Sequence, residues 1–207
     1  MSRRFIVLLI AIVSFSLCLP AQKRHEDTEK LGMALEYFSS GKYHEALLLF
    51  QKLDKDYKLN ARFRAYIGVC YYHEWDYKKA VEYLDETIPQ LEALAPHERN
   101  VYYYADAESH FYLEQYERAI PMYERVVTVC YDNEKGDAFY RLGFCYLFLE
   151  NWANAHDYFL SAGLYYRKFR NTPDLQARLK QIDNMVAGCE KKLFEDKSKD
   201  RELRNED

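Results

Sequence analysis

Four alanines, spaced 34, 39 and 36 residues apart, mark a pattern that recurs along the chain. These marker alanines are Ala46, Ala80, Ala119 and Ala155. A large aromatic residue stands three positions before each of them, and a second small residue, alanine or glycine, stands twelve positions before. A period in this range indicates supersecondary units that bury a common core only when they stack on one another. Such stacks usually form binding surfaces and seldom form catalytic sites.

Each unit is predicted to be a pair of helices. Around Ala46, apolar and small residues recur at intervals of three and four on both sides of a turn at Ser40-Gly41-Lys42, which is the spacing of one helical face. The four units are predicted to cover residues 27–60, 61–94, 100–133 and 134–168. An enlarged loop at Ala95-Pro96-His97 is predicted between the second and third units.

Two segments carry a resemblance to a known family. They are Tyr66-Ile67-Gly68-Val69-Cys70-Tyr71 followed by Tyr77 to Leu84, and Arg141-Leu142-Gly143-Phe144-Cys145-Tyr146 followed by Trp152 to Ala155. Their pattern resembles the tetratricopeptide repeat, and the resemblance extends over about residues 27–168. It implies an all-α fold, a right-handed α-solenoid of about four helix-turn-helix units.

Some positions depart from the family pattern. The turn glycine occurs only as Gly41, and Trp75, Glu114 and Glu150 take its place in the other units. The third unit also has Asp106 where leucine is expected.

Both ends of the array are predicted from their own residues. The first unit carries Glu29 and Glu36 where the later units have apolar or small residues, as an end unit with no predecessor requires. At the other end, Thr172 and Pro173 are predicted to start a C-terminal capping helix over residues 172–196. Residues 197–207 are rich in charges of both signs and are predicted to be a disordered tail.

Residues 1–21 have the composition of a secretory signal peptide. Arg3 and Arg4 precede an apolar run from Phe5 to Leu19, and Ala21 offers a small residue for cleavage. The protein is therefore expected to be exported, to a periplasmic or extracellular location. The alternatives are a membrane anchor, for which the run is short, and a lipid anchor on Cys18. No other stretch is apolar enough to span a membrane.

Composition bears on partners and redox state. The formal net charge is −4, and the sequence has no basic stripe of the kind that nucleic-acid binding needs. Four cysteines follow the leader, with no CxxC spacing, and they are interpreted as reduced packing residues. A disulfide between Cys130 and Cys145 is the alternative.

No motif for catalysis, a metal or a cofactor stands out. The six histidines form neither HxxxH nor HExxH, and the seven glycines include no phosphate-binding loop. His110 replaces a packing tyrosine and is interpreted as a core residue. The protein is therefore predicted not to be an enzyme and to need no cofactor.

The concave face of the solenoid is the candidate binding site, because one stripe of the leading helices is rich in aromatic side chains that suit recognition. The predicted partner-binding residues are Tyr72, Tyr104, Glu108, Tyr112, Tyr140, Phe144 and Phe148. Two alternatives remain: the terminal helix fills the groove, or tyrosine is simply the packing residue of this chain.

The sequence thus predicts a non-enzymatic scaffold that binds a peptide or helix of an envelope protein. The alternative is a glycan-binding module that uses the same aromatic face. Few Asn, Asp or Gln side chains lie on the stripe, which favours a peptide because sugars need polar partners beside each ring.

Overall fold

The computed structural model describes residues 25–170 and 172–205, with side chains described up to residue 198. This part of the chain is an all-α solenoid, and the predicted signal peptide lies outside it. The helices are α1 (25–39), α2 (Tyr43–Tyr57), α3 (Ala61–His73), α4 (Tyr77–Thr87), α5 (Pro96–Tyr112), α6 (Tyr116–Val129), α7 (Asp132–Phe148), α8 (Trp152–Phe169) and α9 (Gln176–Asn205). Short 3-10 turns occupy Ile88–Gln90 and Pro173–Leu175.

Helices α1 to α8 form four pairs joined by the same turn. One residue of each turn has a positive φ angle: 75° at Gly41, 60° at Trp75, 59° at Glu114 and 56° at Glu150. The left-handed backbone therefore persists where glycine is replaced. Two residues further on, an aromatic residue begins the second helix of the pair, and the side chains of Asp76 and Asn151 cap two of these helices.

The small residues of the repeat lie where the two helices of a pair meet. All four marker alanines are completely buried, as the periodicity predicts. A Cβ atom added to Gly68 would lie 2.7 Å from Leu84 Cγ, and one added to Gly143 would lie 2.6 Å from Phe159 Cδ1. The helices therefore approach more closely at these two positions than even alanine would allow.

The N-terminal unit has the solvated face that the sequence predicts. Glu29 and Glu36 are exposed, whereas Cys70, Ser109 and Cys145, which occupy the place of Glu36 in the later units, are completely buried. All four cysteines in the described part of the chain are buried and free. The alternative of a Cys130–Cys145 disulfide is therefore wrong for this structure.

The junction between the second and third pairs differs from the prediction. Pro96 and His97 form the first turn of α5 instead of an enlarged loop, so this helix begins before residue 100. Proline is favoured at the first helical position, because the backbone N–H that it lacks would have no partner inside the helix. The extra residues are taken up instead by the 3-10 turn at Ile88–Gln90 and the short segment after it.

The C-terminal helix also differs from the prediction. It continues to Asn205, through residues that were expected to be disordered. Lys191 and Lys192 lie 3.9 and 3.3 Å from the carboxylate of Glu195, and pairs at this spacing stabilise an exposed helix. At the other end, the Thr172 hydroxyl does not cap the 3-10 turn and lies instead 3.5 Å from the Arg170 carbonyl oxygen.

Helix α9 covers the last pair with one apolar face. Leu179, Ile182 and Cys189 of α9, with Leu175 of the preceding 3-10 turn, are buried in a cluster with Phe159 and Tyr166 of α8. Within the described residues, no helix is long and apolar enough to cross a membrane.

Candidate functional site

A cavity of about 330 Å³ opens on the face formed by α3, α5 and α7. Much of its wall comes from the predicted stripe of the leading helices, which here includes Val69, Tyr72, His73, Val101, Tyr104 and Asp137. Asn100, Ala105, Val126 and Glu134 complete it. The amide oxygen of Asn100 is buried and has no hydrogen-bond partner among the described residues. The walls of this cavity are thus mainly apolar.

A second cavity, of about 430 Å³, continues the first toward the C-terminus. Both cavities are lined by Tyr104 and Asp137, and the second is completed by Tyr140, Arg141 and Arg178. We call the two cavities together the concave groove. The first half of this groove is mainly apolar, and the second half is lined mainly by polar and charged side chains.

A buried ion pair stands behind the wall of the groove. Glu108 is 2% exposed, and Arg141 Nη2 lies 2.6 Å from its Oε2 atom. The Tyr123 hydroxyl donates a hydrogen bond to Glu108 Oε1 at 2.6 Å. Burial alone would lower the pKa of the Arg141 guanidinium, but Glu108, Tyr123 and Tyr112 together outweigh burial and the net pKa is raised. Arg141 therefore keeps its charge at the groove.

Asp137 is the polar centre of the groove. Its carboxylate pairs with Arg170, at the end of α8, and with Arg178 of α9 at 2.9 Å. It also accepts a hydrogen bond from the Tyr166 hydroxyl at 2.6 Å. Because these partners come from α8 and α9, the last helix is fixed to one end of the groove.

Burial raises the pKa values of the Tyr72 and Tyr104 hydroxyls, and the Glu108 charge adds to both shifts. These two tyrosines therefore stay neutral and can donate hydrogen bonds. Burial lowers the pKa of His73. The walls of the first cavity thus carry uncharged rings near neutral pH.

The predicted site residues fall into three groups. Tyr72, Tyr104 and Tyr140 line the groove. Glu108 is too buried to touch a partner and instead holds Arg141. Tyr112, Phe144 and Phe148 lie toward the turn ends of α5 and α7 in ring contacts, of which the Tyr77–Tyr112 and Tyr116–Phe148 stacks have centroids 4.7 and 4.9 Å apart.

Sequence reasoning missed Asn100 and Arg178 as groove residues. Asn100 lies near the start of α5, which the prediction placed too late, and Arg178 reaches the groove from α9. The last helix closes the C-terminal end through Arg178 and through Gln181, whose side chain accepts a hydrogen bond from the Tyr140 hydroxyl at 2.9 Å. The cavity over α3, α5 and α7 is not filled by it.

The geometry defines a class of protein: an α-solenoid of helix pairs with a lined concave groove. Comparison with known families finds a match to the tetratricopeptide repeat over residues 31–96. The helix pairs continue the same architecture on either side of this segment. Residues 31–96 thus carry the tetratricopeptide repeat pattern.

Solved structures share the fold at low sequence identity. MamA MSR-1 C2 is 14% identical, with a TM-score of 0.57 over 77% of this chain and 96% of that chain. MamA 41-end from Desulfovibrio magneticus RS-1 is 16% identical, with a TM-score of 0.55 over 80% and 93%. The apo form of RapI is 13% identical, with a TM-score of 0.62 over 82% and 65%. A sequence comparison with curated proteins finds no match.

Proposed function

We propose that this protein is a non-enzymatic scaffold that binds an extended peptide or a helix of a protein partner in the concave groove. The observation that carries the proposal is the first cavity, whose wall includes Val69, Val101 and the rings of Tyr72 and Tyr104. An apolar side chain of the partner would bury against these walls.

The second half of the groove supports a partner that continues as a polar segment. The charged groups there are already paired, because Arg141 contacts Glu108, and Arg170 and Arg178 share Asp137. A segment with one apolar anchor followed by uncharged polar residues therefore matches the groove better than a strongly charged one. A glycan is the competing ligand, since Tyr104 and Tyr140 offer ring faces beside polar groups.

The setting that we propose is the cell envelope, which rests on the signal-peptide composition of residues 1–21 alone. A partner would then be an exported protein or the exposed part of a membrane protein.

Two matched substitutions test the groove. Val101 is 45% exposed and lines the first cavity, whereas Leu160 is 49% exposed on α8, outside the residues that line either cavity. Val101→Glu should abolish capture of the partner from envelope extract, and Leu160→Glu should leave it intact. Both proteins should unfold within about 0.5 kcal/mol of the natural chain, as surface substitutions usually do. Equal capture of the partner by both variants would show that the groove is not the binding site.

The chemical nature of the ligand is decided in the same assay. Treatment of the extract with protease should remove the captured material, whereas treatment with glycosidases should not. Truncation of the central ring, Tyr104→Ala, should weaken binding by about 2 kcal/mol. Its control for damage to the fold is Tyr123→Ala, because Tyr123 is completely buried.

A further inference from the structure

Two departures from the repeat pattern meet at one place in the third helix pair. Asp106 stands where the second and fourth units have the buried Ile67 and Leu142, and His110 stands where the other units have tyrosine. Both side chains are 1% exposed. They are four residues apart on α5, so they lie on the same face of that helix. Polar substitutions at core positions cost burial energy and call for a compensating partner.

Hydrogen bonds among the described residues do not give Asp106 such a partner. Both carboxylate oxygens of Asp106 are buried without a hydrogen-bond partner among the residues described. The third member of the site is Asp85 of α4, whose Oδ2 atom is held by Arg118 at 2.8 Å. Its Oδ1 atom lies 3.3 Å from His110 Nε2.

The orientation of His110 is fixed from its other nitrogen. Nδ1 lies 2.7 Å from the side-chain oxygen of Gln115, which can only accept, so Nδ1 carries the hydrogen. Nε2 then faces Asp85 Oδ1 at 3.3 Å and Asp106 Oδ1 at 3.8 Å. A neutral imidazole would direct its lone pair at two negative oxygens. A cation at Nε2, either a proton or a metal ion, is needed to make this arrangement stable.

The spacing favours a metal ion over a proton. A proton on Nε2 can form a hydrogen bond to only one of the two oxygens, which leaves Asp106 with an ion pair at 3.8 Å and no hydrogen bond, whereas a metal ion binds both oxygens. One ligand atom from each of Asp85, Asp106 and His110 lies within 4.8 Å of the others. Ligand atoms about 2.0–2.1 Å from a tetrahedral Zn²⁺ are about 3.4 Å apart, close to the observed 3.3 and 3.8 Å.

We propose that Asp85, Asp106 and His110 bind a divalent transition-metal ion, of which Zn²⁺ fits best, and that this ion joins the second helix pair to the third. Gln115 orients the histidine through Nδ1, in the way that ligating histidines are commonly held. Asp85 forms the exposed edge of the site, with 39% of its side chain accessible, and provides the entry path. A water molecule would complete four-coordination there.

Calorimetric titration of the tag-free, metal-stripped full chain with ZnCl₂ tests the proposal. We expect one ion per chain, and a rise in Tm of about 5–10 °C at a hundredfold excess of free Zn²⁺ over Kd. Asp85→Asn should weaken binding at least tenfold, and Gln115→Ala by about 10- to 100-fold. His156→Gln, which alters a histidine beside Asp157 and Glu190 outside the site, should leave the titration unchanged.

The decisive variant restores the repeat pattern. Asp106→Leu/His110→Tyr should eliminate the Zn²⁺ response while the chain stays folded. The second and fourth units have an apolar residue at the position of Asp106, and the other three units have tyrosine at the position of His110. If this variant does not fold, Asp85→Asn tests the proposal instead, because Asp85 lies at the exposed edge of the site. Zn²⁺ binding that survives these substitutions would overturn the proposal. So would a chain that lower pH stabilises but Zn²⁺ does not, because the cation would then be a proton.

Discussion

Arg141 of α7 reaches back to Glu108 of α5 and places its Nη2 atom 2.6 Å from the carboxylate. The two partners differ in their access to water, since the side chain of Glu108 is 2% exposed and that of Arg141 is 25% exposed. The pair joins the third and fourth helix units directly behind the concave groove. Removing one partner should therefore cost a different amount from removing the other.

Arg141→Met leaves the buried Glu108 charge with the Tyr123 hydroxyl as its remaining partner. Breaking a buried pair in this way should destabilise the chain by about 3–5 kcal/mol. Glu108→Gln keeps the shape, its amide oxygen can accept from Arg141, and its NH2 group can donate to the Tyr123 oxygen. The remaining Arg141 can reach solvent, so the cost should be about 1–2 kcal/mol. Urea unfolding of both variants measures the difference. A larger loss of stability from Glu108→Gln than from Arg141→Met would contradict the finding that Glu108 is the more deeply buried partner.

Two glycines in helices should respond to alanine in opposite directions. At Gly143, a new Cβ atom would lie 2.6 Å from the fully buried ring of Phe159, and the overpacking should cost about 1–3 kcal/mol. At Gly188 nothing lies within 4 Å, and the better helix propensity of alanine should stabilise the chain by up to about 1 kcal/mol. Thermal melts of Gly143→Ala and Gly188→Ala that shift in the same direction would show that the packing of α7 on α8 is not as described.

The turn residues predict a stabilising change. Glu150 has a φ angle of 56°, a conformation that costs an L-residue about 1–2 kcal/mol. Glycine removes that cost but loses about 0.5–1 kcal/mol through the entropy of the unfolded chain. Glu150→Gly should therefore raise the free energy of unfolding by up to about 1.5 kcal/mol, which is the largest difference between these two terms. Glu117→Gly, in the first turn of α6, is the control and should destabilise the chain by about 1 kcal/mol. Equal losses of stability in the two variants would mean that the backbone at Glu150 is unstrained.

The buried cysteines should be unreactive in the folded chain. Burial raises the pKa values of the Cys70 and Cys145 thiols to about 12, and that of Cys130 to about 11. At pH 8 only about one Cys70 thiol in ten thousand is then in the reactive thiolate form. Iodoacetamide should leave these three residues unmodified in the native protein and label them after unfolding. Rapid native labelling, or a mass 2 Da lower from a disulfide, would contradict the free and buried state.

The sequence predicts the fold well, because the fold depends on local patterns that are repeated four times. Each marker alanine and its preceding aromatic residue fix one close helix contact, and the turn before them recurs even without glycine at Trp75, Glu114 and Glu150. The boundaries are less accessible to sequence reasoning. Pro96 reads equally well as a loop residue and as a first helical residue, and the late part of α9 lies in a segment with the composition of a disordered tail.

The candidate site is predicted only in part, because its polar groups depend on contacts between units. Glu108 has the spacing of a groove residue, but Arg141 from the next unit covers it. Asp106 and His110 each look like an isolated lapse from the repeat, and only the packing of α4 on α5 brings Asp85 to them. No periodicity within a single unit encodes such a contact.

The claim that the concave groove binds a protein partner is tested most directly by site-specific photocrosslinking in intact cells. A photoreactive amino acid is placed at Val101 in the groove or at Leu160 on α8, two positions of nearly equal exposure. We expect a discrete protein adduct from Val101, which protease digests and which is lost when Tyr104 is truncated. We expect no adduct from Leu160. Adducts of equal yield from both positions, or none from Val101 while Leu160 yields one, would contradict the claim.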